Sequence, residues 1–195
     1  KSIIDDINSG KIIGVKASEL RTIRCKIIRS TAKKADVRKF IASEHIAKKK
    51  DWPAANKGEV IFLMIEIDGE TPRSIADDMA MTPAAVERLY KAYRLTEKYR
   101  QRCGGKYLPT FSYFDEYLKQ PILLAQAQSD PVFEDWLMDL IHEDKLIEHK
   151  EIRKLRDLFD PKHDKYCQKI ALQELNKPKA KGGSFKYAYQ MFVDS

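Results

Sequence analysis

The chain has 195 residues, of which 43% are hydrophobic and 33% are charged, and its net charge is +7 at pH 7. This composition excludes an intrinsically disordered chain and allows one sizeable core or two or three small helical modules. The positive charge suits a polyanionic partner such as nucleic acid, although many proteins without such a partner are equally basic.

Cysteine usage and hydropathy exclude further classes. The three cysteines, Cys25, Cys103 and Cys167, are odd in number and far apart, which argues against a disulfide framework or a zinc site. No stretch has the apolar length of a membrane span, and no segment resembles a signal peptide. We therefore expect a cytoplasmic protein with no membrane partner.

The first third of the chain is predicted to contain one strand and two helices. Thr22–Ile28 alternates apolar and polar residues and is predicted to be a strand. Apolar residues at three- and four-residue spacing predict a helix over 35–45. Ala54–Ile67 contains the run VIFLMIEI, which periodicity alone assigns equally well to a buried strand. Its length and the following Asp68-Gly69 stop favour a buried helix.

Two Thr-Pro pairs then mark two helix starts in TPRSIADDMAMTPAAVERL. Threonine is a common N-cap, and proline fits the first helical position because its missing N–H would be unpaired there. Thr71-Pro72 and Thr82-Pro83 therefore predict two helices, with Ala80-Met81 as the turn between them and the second continuing to about Tyr93. Such a pair is either an ordinary helical corner or a helix-turn-helix that reads DNA.

Downstream of a Gly- and Pro-containing linker over Arg100–Pro109, the pattern remains helical. The aromatic residues of the C-terminus recur at two-residue spacing, as in an edge strand that packs on the core or on a second subunit. The predicted helices are Phe111–Leu124, Pro131–His142, Glu148–Phe159 and Asp164–Leu175, and the C-terminal aromatic residues are Phe185, Tyr187, Tyr189 and Phe192. The fold class is mostly α: a helix-turn-helix module, then a second helical module, with a residual N-terminal strand.

A DNA-reading helix would present the polar face of its N-terminal half to the major groove. Arg88 can make a bidentate contact with guanine, the two alanines can touch a thymine methyl group, and Glu87 can accept from cytosine. The predicted base-contacting residues are Ala84, Ala85, Glu87, Arg88 and Lys91. The predicted phosphate-contacting residues are Lys48, Lys49, Lys50, Arg73, Thr82, Arg94 and Lys98, with Arg100, Arg102 and Lys106 continuing the positive charge.

The segment IADDMAMTPAAV matches, without gaps, the I-A-x-x-x-G-x-S/T-x-x-x-V pattern of ParB-like partition proteins, except that Ala80 replaces the glycine. The chain resembles that family from about Cys25 to Leu175, most strongly between Phe40 and Leu95. CKIIR resembles the end of the family's N-terminal ParB/sulfiredoxin-like domain, and FSYFDEYLK resembles the start of its helical extension. On this resemblance, residues 1–35 are a remnant of the N-terminal domain, 36–100 the helix-turn-helix domain, 111–177 a helical domain and 178–195 a flexible basic and aromatic tail.

The resemblance implies a homodimer that binds double-stranded DNA in chromosome or plasmid partition or in transcription control. Central members of the family also bind and hydrolyse cytidine triphosphate through an E-N-x-x-R motif and an Arg-rich motif. The first motif is degenerate here, because Glu44, His45 and Lys48 keep the acid and a cation but replace Asn and Arg. The second is absent from the chain. We therefore expect no cofactor and no enzymatic activity, unless a missing N-terminal half supplies a nucleotide-dependent switch.

Three features of the sequence leave alternative interpretations open. Glu87 and the two alanines on the reading face suit a protein–protein adaptor, in which the helix pair is structural and the C-terminal helices bind a partner. His142, Glu143, Asp144, Glu148 and His149 contain metal-ligating residue types, but without an HExxH spacing they suit a polar helix connection better. Lys48–Lys50 are either a solvated loop or a phosphate contact.

Overall fold

The computed structural model describes residues 28, 31–45, 52–104, 107–181 and 183–194. Contacts divide the chain into two compact units, Lys1–Val37 and Arg38–Ser195. The predicted strand Thr22–Ile28 lies outside the described residues apart from Ile28, which is exposed and has no regular structure. Lys48, Lys49, Lys50 and Lys106 also lie outside them.

All regular elements among the described residues are helices, which confirms a mostly helical fold. In chain order they are α1 (Lys34–His45), α2 (Ala54–Glu66), α3 (Pro72–Met79), α4 (Pro83–Cys103), α5 (Tyr107–Tyr117), α6 (Pro121–Ser129), α7 (Phe133–His142), α8 (Glu151–Leu155), α9 (Lys165–Leu175) and α10 (Phe185–Val193). Short 3₁₀ helices lie after α8, at Arg156–Phe159, and after α9, at Lys179–Lys181. None of the described helices is long and apolar enough to cross a bilayer.

Helices α2, α3 and α4 pack together around Ile61, Met64, Ile75, Met79 and Val86, all of which are buried. The run VIFLMIEI lies almost entirely in α2, so the prediction of a buried helix is confirmed there. Apolar side chains at i, i+3 and i+4 bury one face of each helix, and this burial stabilises helices too short to persist alone.

The two predicted helix starts are confirmed by their caps. The hydroxyl oxygen of Thr71 accepts a hydrogen bond from the Ser74 N–H at 3.2 Å, and Pro72 occupies the first turn of α3. The hydroxyl oxygen of Thr82 accepts in the same way from the Ala85 N–H at 3.2 Å. Each threonine satisfies an N–H that has no partner inside its helix.

Ala80 ends α3 in the left-handed conformation, with φ 52° and ψ 44°. A residue with a Cβ strains the backbone there by roughly 1–2 kcal/mol, whereas glycine adopts it freely. Ala80 is exposed, so its methyl group contributes little packing. The turn therefore has the backbone that glycine normally supplies, formed by an alanine.

Ala80→Gly is expected to raise the free energy of unfolding by about 1 kcal/mol, because relief of strain exceeds the added entropy of the unfolded glycine. Ala84→Gly is the matched control. Ala84 is also exposed but lies in the first turn of α4, so glycine there should lower stability by about 0.5–1 kcal/mol. Urea unfolding of both variants measures the difference, and equal destabilisation would contradict the account.

The predicted linker Arg100–Pro109 is wrong over most of its length. Helix α4 runs through Arg100 to Cys103 and ends at Gly104, whose φ is 61°. Buried Leu95 and Tyr99 extend the apolar face of α4 past Tyr93 and keep the helix packed. Pro109 lies in the first turn of α5, where a missing N–H costs no helical hydrogen bond.

The single predicted helix Phe111–Leu124 is also wrong, since α5 ends at Tyr117 and α6 begins at Pro121. Proline lacks the N–H that a continuing helix needs and pushes the residue before it into an extended backbone. Gln120 has that backbone, with φ −105° and ψ 97°. The predicted start at Asp164 is confirmed, because its carboxylate caps α9 by accepting from the Tyr166 and Cys167 N–H groups.

The C-terminal edge strand is wrong as well, because residues 185–193 form helix α10. Ser184 caps it by accepting a hydrogen bond from the Tyr187 N–H at 3.3 Å. Phe185 and Ala188 are buried, and the rings of Phe185 and Tyr189 stack with centroids 5.5 Å apart. The Phe185 N–H also donates to the Lys145 carbonyl at 3.1 Å. This segment is therefore a packed helix of the second unit and not a flexible aromatic tail.

Candidate nucleic-acid interface

Helix α4 presents two different faces over its N-terminal half. Val86 and Leu89 are buried, while Ala84, Glu87 and Lys91 are exposed. Ala85 is half-buried. The predicted separation of an apolar face from a polar face is therefore confirmed, and the polar face is the one assigned to base contact.

This polar face lines one side of a groove of about 420 Å³. The opposite wall was not predicted, because it comes from elements distant in sequence. The groove is lined from α4 by Ala84, Glu87, Arg88 and Lys91, and from α5 onward by Tyr117, Leu118, Leu124, Ala127, Gln128 and Glu134. The C-terminal helices therefore form one wall of the surface that α4 presents.

Arg88 is held by an acidic residue of α5. Its Nε donates to Asp115 Oδ1 at 3.0 Å, and Lys119 Nζ donates to Asp115 Oδ2 at 2.7 Å. The Asp115 side chain is only 14% exposed, against 38% for Arg88. The sequence predicts no role for Asp115 in contacting DNA or Arg88. Its spacing from Lys119 is a helical ion-pair signal, but nothing local indicated its contact with Arg88.

The positive charge farther along α4 is partly neutralised by α7. Lys98 Nζ lies 2.7 Å from Asp135 Oδ1, and its hydrogen bond lowers the pKa of that carboxyl. Arg102 pairs with Asp135 and Asp139, each at 3.1 Å. Lys98 therefore has a structural partner in addition to its predicted role as a phosphate contact.

Other predicted phosphate contacts remain at the surface. Arg73 and Thr82 are exposed, and the Thr82 hydroxyl also caps α4. The Arg94 guanidinium is exposed and lies 5.7 Å from the centre of the Tyr90 ring. Stacking on the ring restrains the guanidinium, and its Nη1 also donates to the Tyr90 hydroxyl at 3.5 Å, so Arg94 is held at the surface where an anion can reach it.

A second groove of about 480 Å³ continues along α4 beyond Lys91. It is lined by Arg94 and Lys98 together with Phe62 of α2 and Leu118. Lys91 lies at the junction, since it lines both grooves. The surface that combines the predicted base contacts with predicted phosphate contacts is thus continuous.

Two further candidate sites were predicted from the sequence, a degenerate nucleotide-phosphate motif and a cluster of metal-ligating residue types. Glu44 is half-buried near the end of α1, while the His45 side chain and Lys48 lie outside the described part. No group of three His, Cys, Asp or Glu residues suited to a metal ion occurs in the part of the chain that the structure describes. His142 and His149 instead contact separate rings, those of Tyr99 and Tyr113.

Searches against protein-family models, curated proteins and solved structures find no match for this chain. The charge and geometry of the α4 surface therefore carry the functional argument.

Proposed function

We propose that this chain binds double-stranded DNA in the manner of ParB-like proteins, with the N-terminal half of α4 in the major groove. One observation carries the proposal. Helices α3 and α4 are joined by a tight left-handed turn at Ala80, and α4 then presents a polar face with an arginine at its centre. This is the arrangement in which a helix-turn-helix presents its second helix to base edges.

The residues divide into two roles. Arg88 contacts guanine, Lys91 contacts an adjacent acceptor, and Ala84 lies close enough to the helix start to touch a thymine methyl group. Arg73 and Arg94, both exposed, contact phosphates. The N-terminus of α4 adds the positive end of the helix dipole, which favours a phosphate beside Thr82.

The same proposal includes the assembly and the biological role. A protein that reads DNA with one such helix gains affinity and specificity by binding an inverted repeat as a dimer. We therefore propose a homodimer that acts in plasmid or chromosome partition or in transcription control, as its resemblance to ParB-like proteins implies. Association with the nucleoid or a plasmid follows from that role.

A protein–protein adaptor is the second candidate, and a specific observation favours it. Arg88 and Lys98 are both paired with carboxylates of the C-terminal helices, at 3.0 Å and 2.7 Å. Such pairing reduces the net positive charge that DNA would meet along α4. The groove between α4 and α6 would then hold a segment of a partner protein.

Arg88→Ala is expected to reduce the preference for a selected DNA site over random duplex by about 1–3 kcal/mol, the worth of one bidentate base contact. Arg73→Ala is the control, because loss of a phosphate contact weakens binding to all sequences equally. The wild-type chain first selects a preferred site from a library of random duplexes. Fluorescence anisotropy then measures the affinity of each variant for the selected duplex and for random duplex. In a salt titration, the logarithm of the affinity should fall linearly with the logarithm of the salt concentration, with a slope of roughly 0.9 per phosphate contact.

Equal losses for both variants on both duplexes would mean that Arg88 does not read bases. Absence of binding at low salt, or affinity independent of salt, would instead favour the adaptor.

A further inference from the structure

We propose that Asp115 is a positioning residue for Arg88, and that α5 therefore takes part in sequence discrimination without contacting DNA. This inference rests on the proposed DNA-binding function. It assigns a specificity role to a residue outside the α3–α4 pair, on a helix that follows α4 in the chain.

The geometry places the carboxylate behind the arginine. Asp115 is mostly buried, and both of its oxygens are occupied, one by Arg88 and the other by Lys119. Arg88 is the more exposed partner and lines the groove beside Glu87 and Lys91. The ion pair therefore anchors the guanidinium through Nε, while the Arg88 side chain still lines the groove.

The atoms involved determine what remains available on Arg88. Only Nε donates to Asp115, and within the described part of the chain neither terminal nitrogen has a hydrogen-bond partner. The two terminal N–H groups form a planar fork whose spacing matches two acceptors on one base edge. Guanine presents such a pair, O6 and N7, in the major groove. Asp115 therefore occupies the one nitrogen that an end-on bidentate contact does not need.

Two physical effects make this anchoring favour discrimination. A long arginine side chain loses rotamer freedom when it binds, and an arginine that is already held loses less. In addition, the carboxylate next to Nε repels phosphate groups, and this repulsion offsets the gain that a pre-organised arginine would otherwise bring to a non-specific phosphate contact. Asp115 is expected to strengthen binding to the correct site while leaving binding to random DNA almost unchanged.

The test uses the full chain and four variants: Asp115→Asn, Arg88→Ala, the double variant and Lys119→Met. Affinity is measured for a duplex selected by the wild-type chain and for a random duplex. Asp115→Asn is expected to lower the affinity for the selected duplex about 5- to 10-fold. This change corresponds to the lower part of the range for one bidentate contact. The random duplex should bind with nearly unchanged affinity, which also reports that α4 remains folded.

The double variant separates positioning from a general structural effect. Residues that act as a unit are not additive, so Asp115→Asn should cause no further loss once Arg88 is alanine. Lys119→Met removes the other partner of Asp115 and leaves the contact with Arg88. It should change both affinities by the same factor and preserve the preference for the selected duplex.

Three outcomes overturn the inference. A gain in affinity for Asp115→Asn would show that the carboxylate competes with DNA, and an unchanged preference would show that it plays no part. An equal loss in the Arg88→Ala background would show that Asp115 acts independently of Arg88. Failure of the proposed function is distinguishable, because the wild-type chain would then bind neither duplex, and both proposals would fall together.

Discussion

Replacing Phe185 with alanine is expected to lower the free energy of unfolding by about 3–5 kcal/mol, the cost of removing a buried aromatic side chain. Phe185 is 1% exposed and stacks on Tyr189 in the same helix. Its backbone N–H donates to the Lys145 carbonyl, so the residue joins α10 to the turn after α7. Truncation leaves a cavity where α10 packs against the rest of the unit.

Tyr187→Ala is the matched control, because Tyr187 lies on the same helix but is 55% exposed. Surface substitutions of this kind usually change stability by less than about 0.5 kcal/mol. Chemical denaturation with two spectroscopic probes, one for secondary and one for tertiary structure, measures both variants. If the two variants were equally stable, α10 would not be part of the folded core.

Gly58→Leu is expected to lower the free energy of unfolding by about 3 kcal/mol. This value is at the upper end of the cost of overpacking a core. Replacing glycine inside a typical helix raises stability by up to about 1 kcal/mol. At Gly58 we expect the steric cost in the core to exceed this gain, so that the substitution destabilises the protein. A Cβ at Gly58 would lie 2.7 Å from Phe111 Cε2 and 3.2 Å from the Leu89 carbonyl oxygen. Phe111 is itself buried, which leaves its ring little room to move.

A double variant tests whether the close contact with Phe111 is the cause. Phe111→Ala alone is expected to cost about 3–5 kcal/mol, and it opens space beside Gly58. The leucine should then fill part of that space, so the two changes together should cost less than their sum. Additive costs would place the strain of Gly58→Leu elsewhere, at the Leu89 backbone.

Both variants probe the same property of this chain, namely that helices distant in sequence share one core. Gly58 belongs to α2 and Phe111 to α5, and the two helices pack closely at this point. In the sequence they lie on opposite sides of the segment that was predicted to be a linker between two domains. The linker prediction used Gly104, Gly105 and Pro109, which break helices locally. Local breakers do not determine whether the helices on either side of them pack together.

The sequence by itself determined the features that depend on neighbours a few residues away. A capping hydroxyl and its N–H target are three residues apart, so Thr71 and Thr82 marked their helix starts correctly. The exposed face with Glu87 and Lys91 followed equally from helical periodicity, because burial of Val86 and Leu89 on one face exposes the other.

Only the tertiary structure decided the rest. The aromatic residues near the C-terminus fit period two and period 3.6 almost equally well over so short a segment. Burial of Phe185 and Ala188 on one side selected the helix. The partner of Arg88 is 27 residues away in the chain, on a helix whose orientation is set by the packing of buried Phe111 and Phe114. An ion pair of that kind has no sequence pattern, because it depends on where two independently formed helices meet.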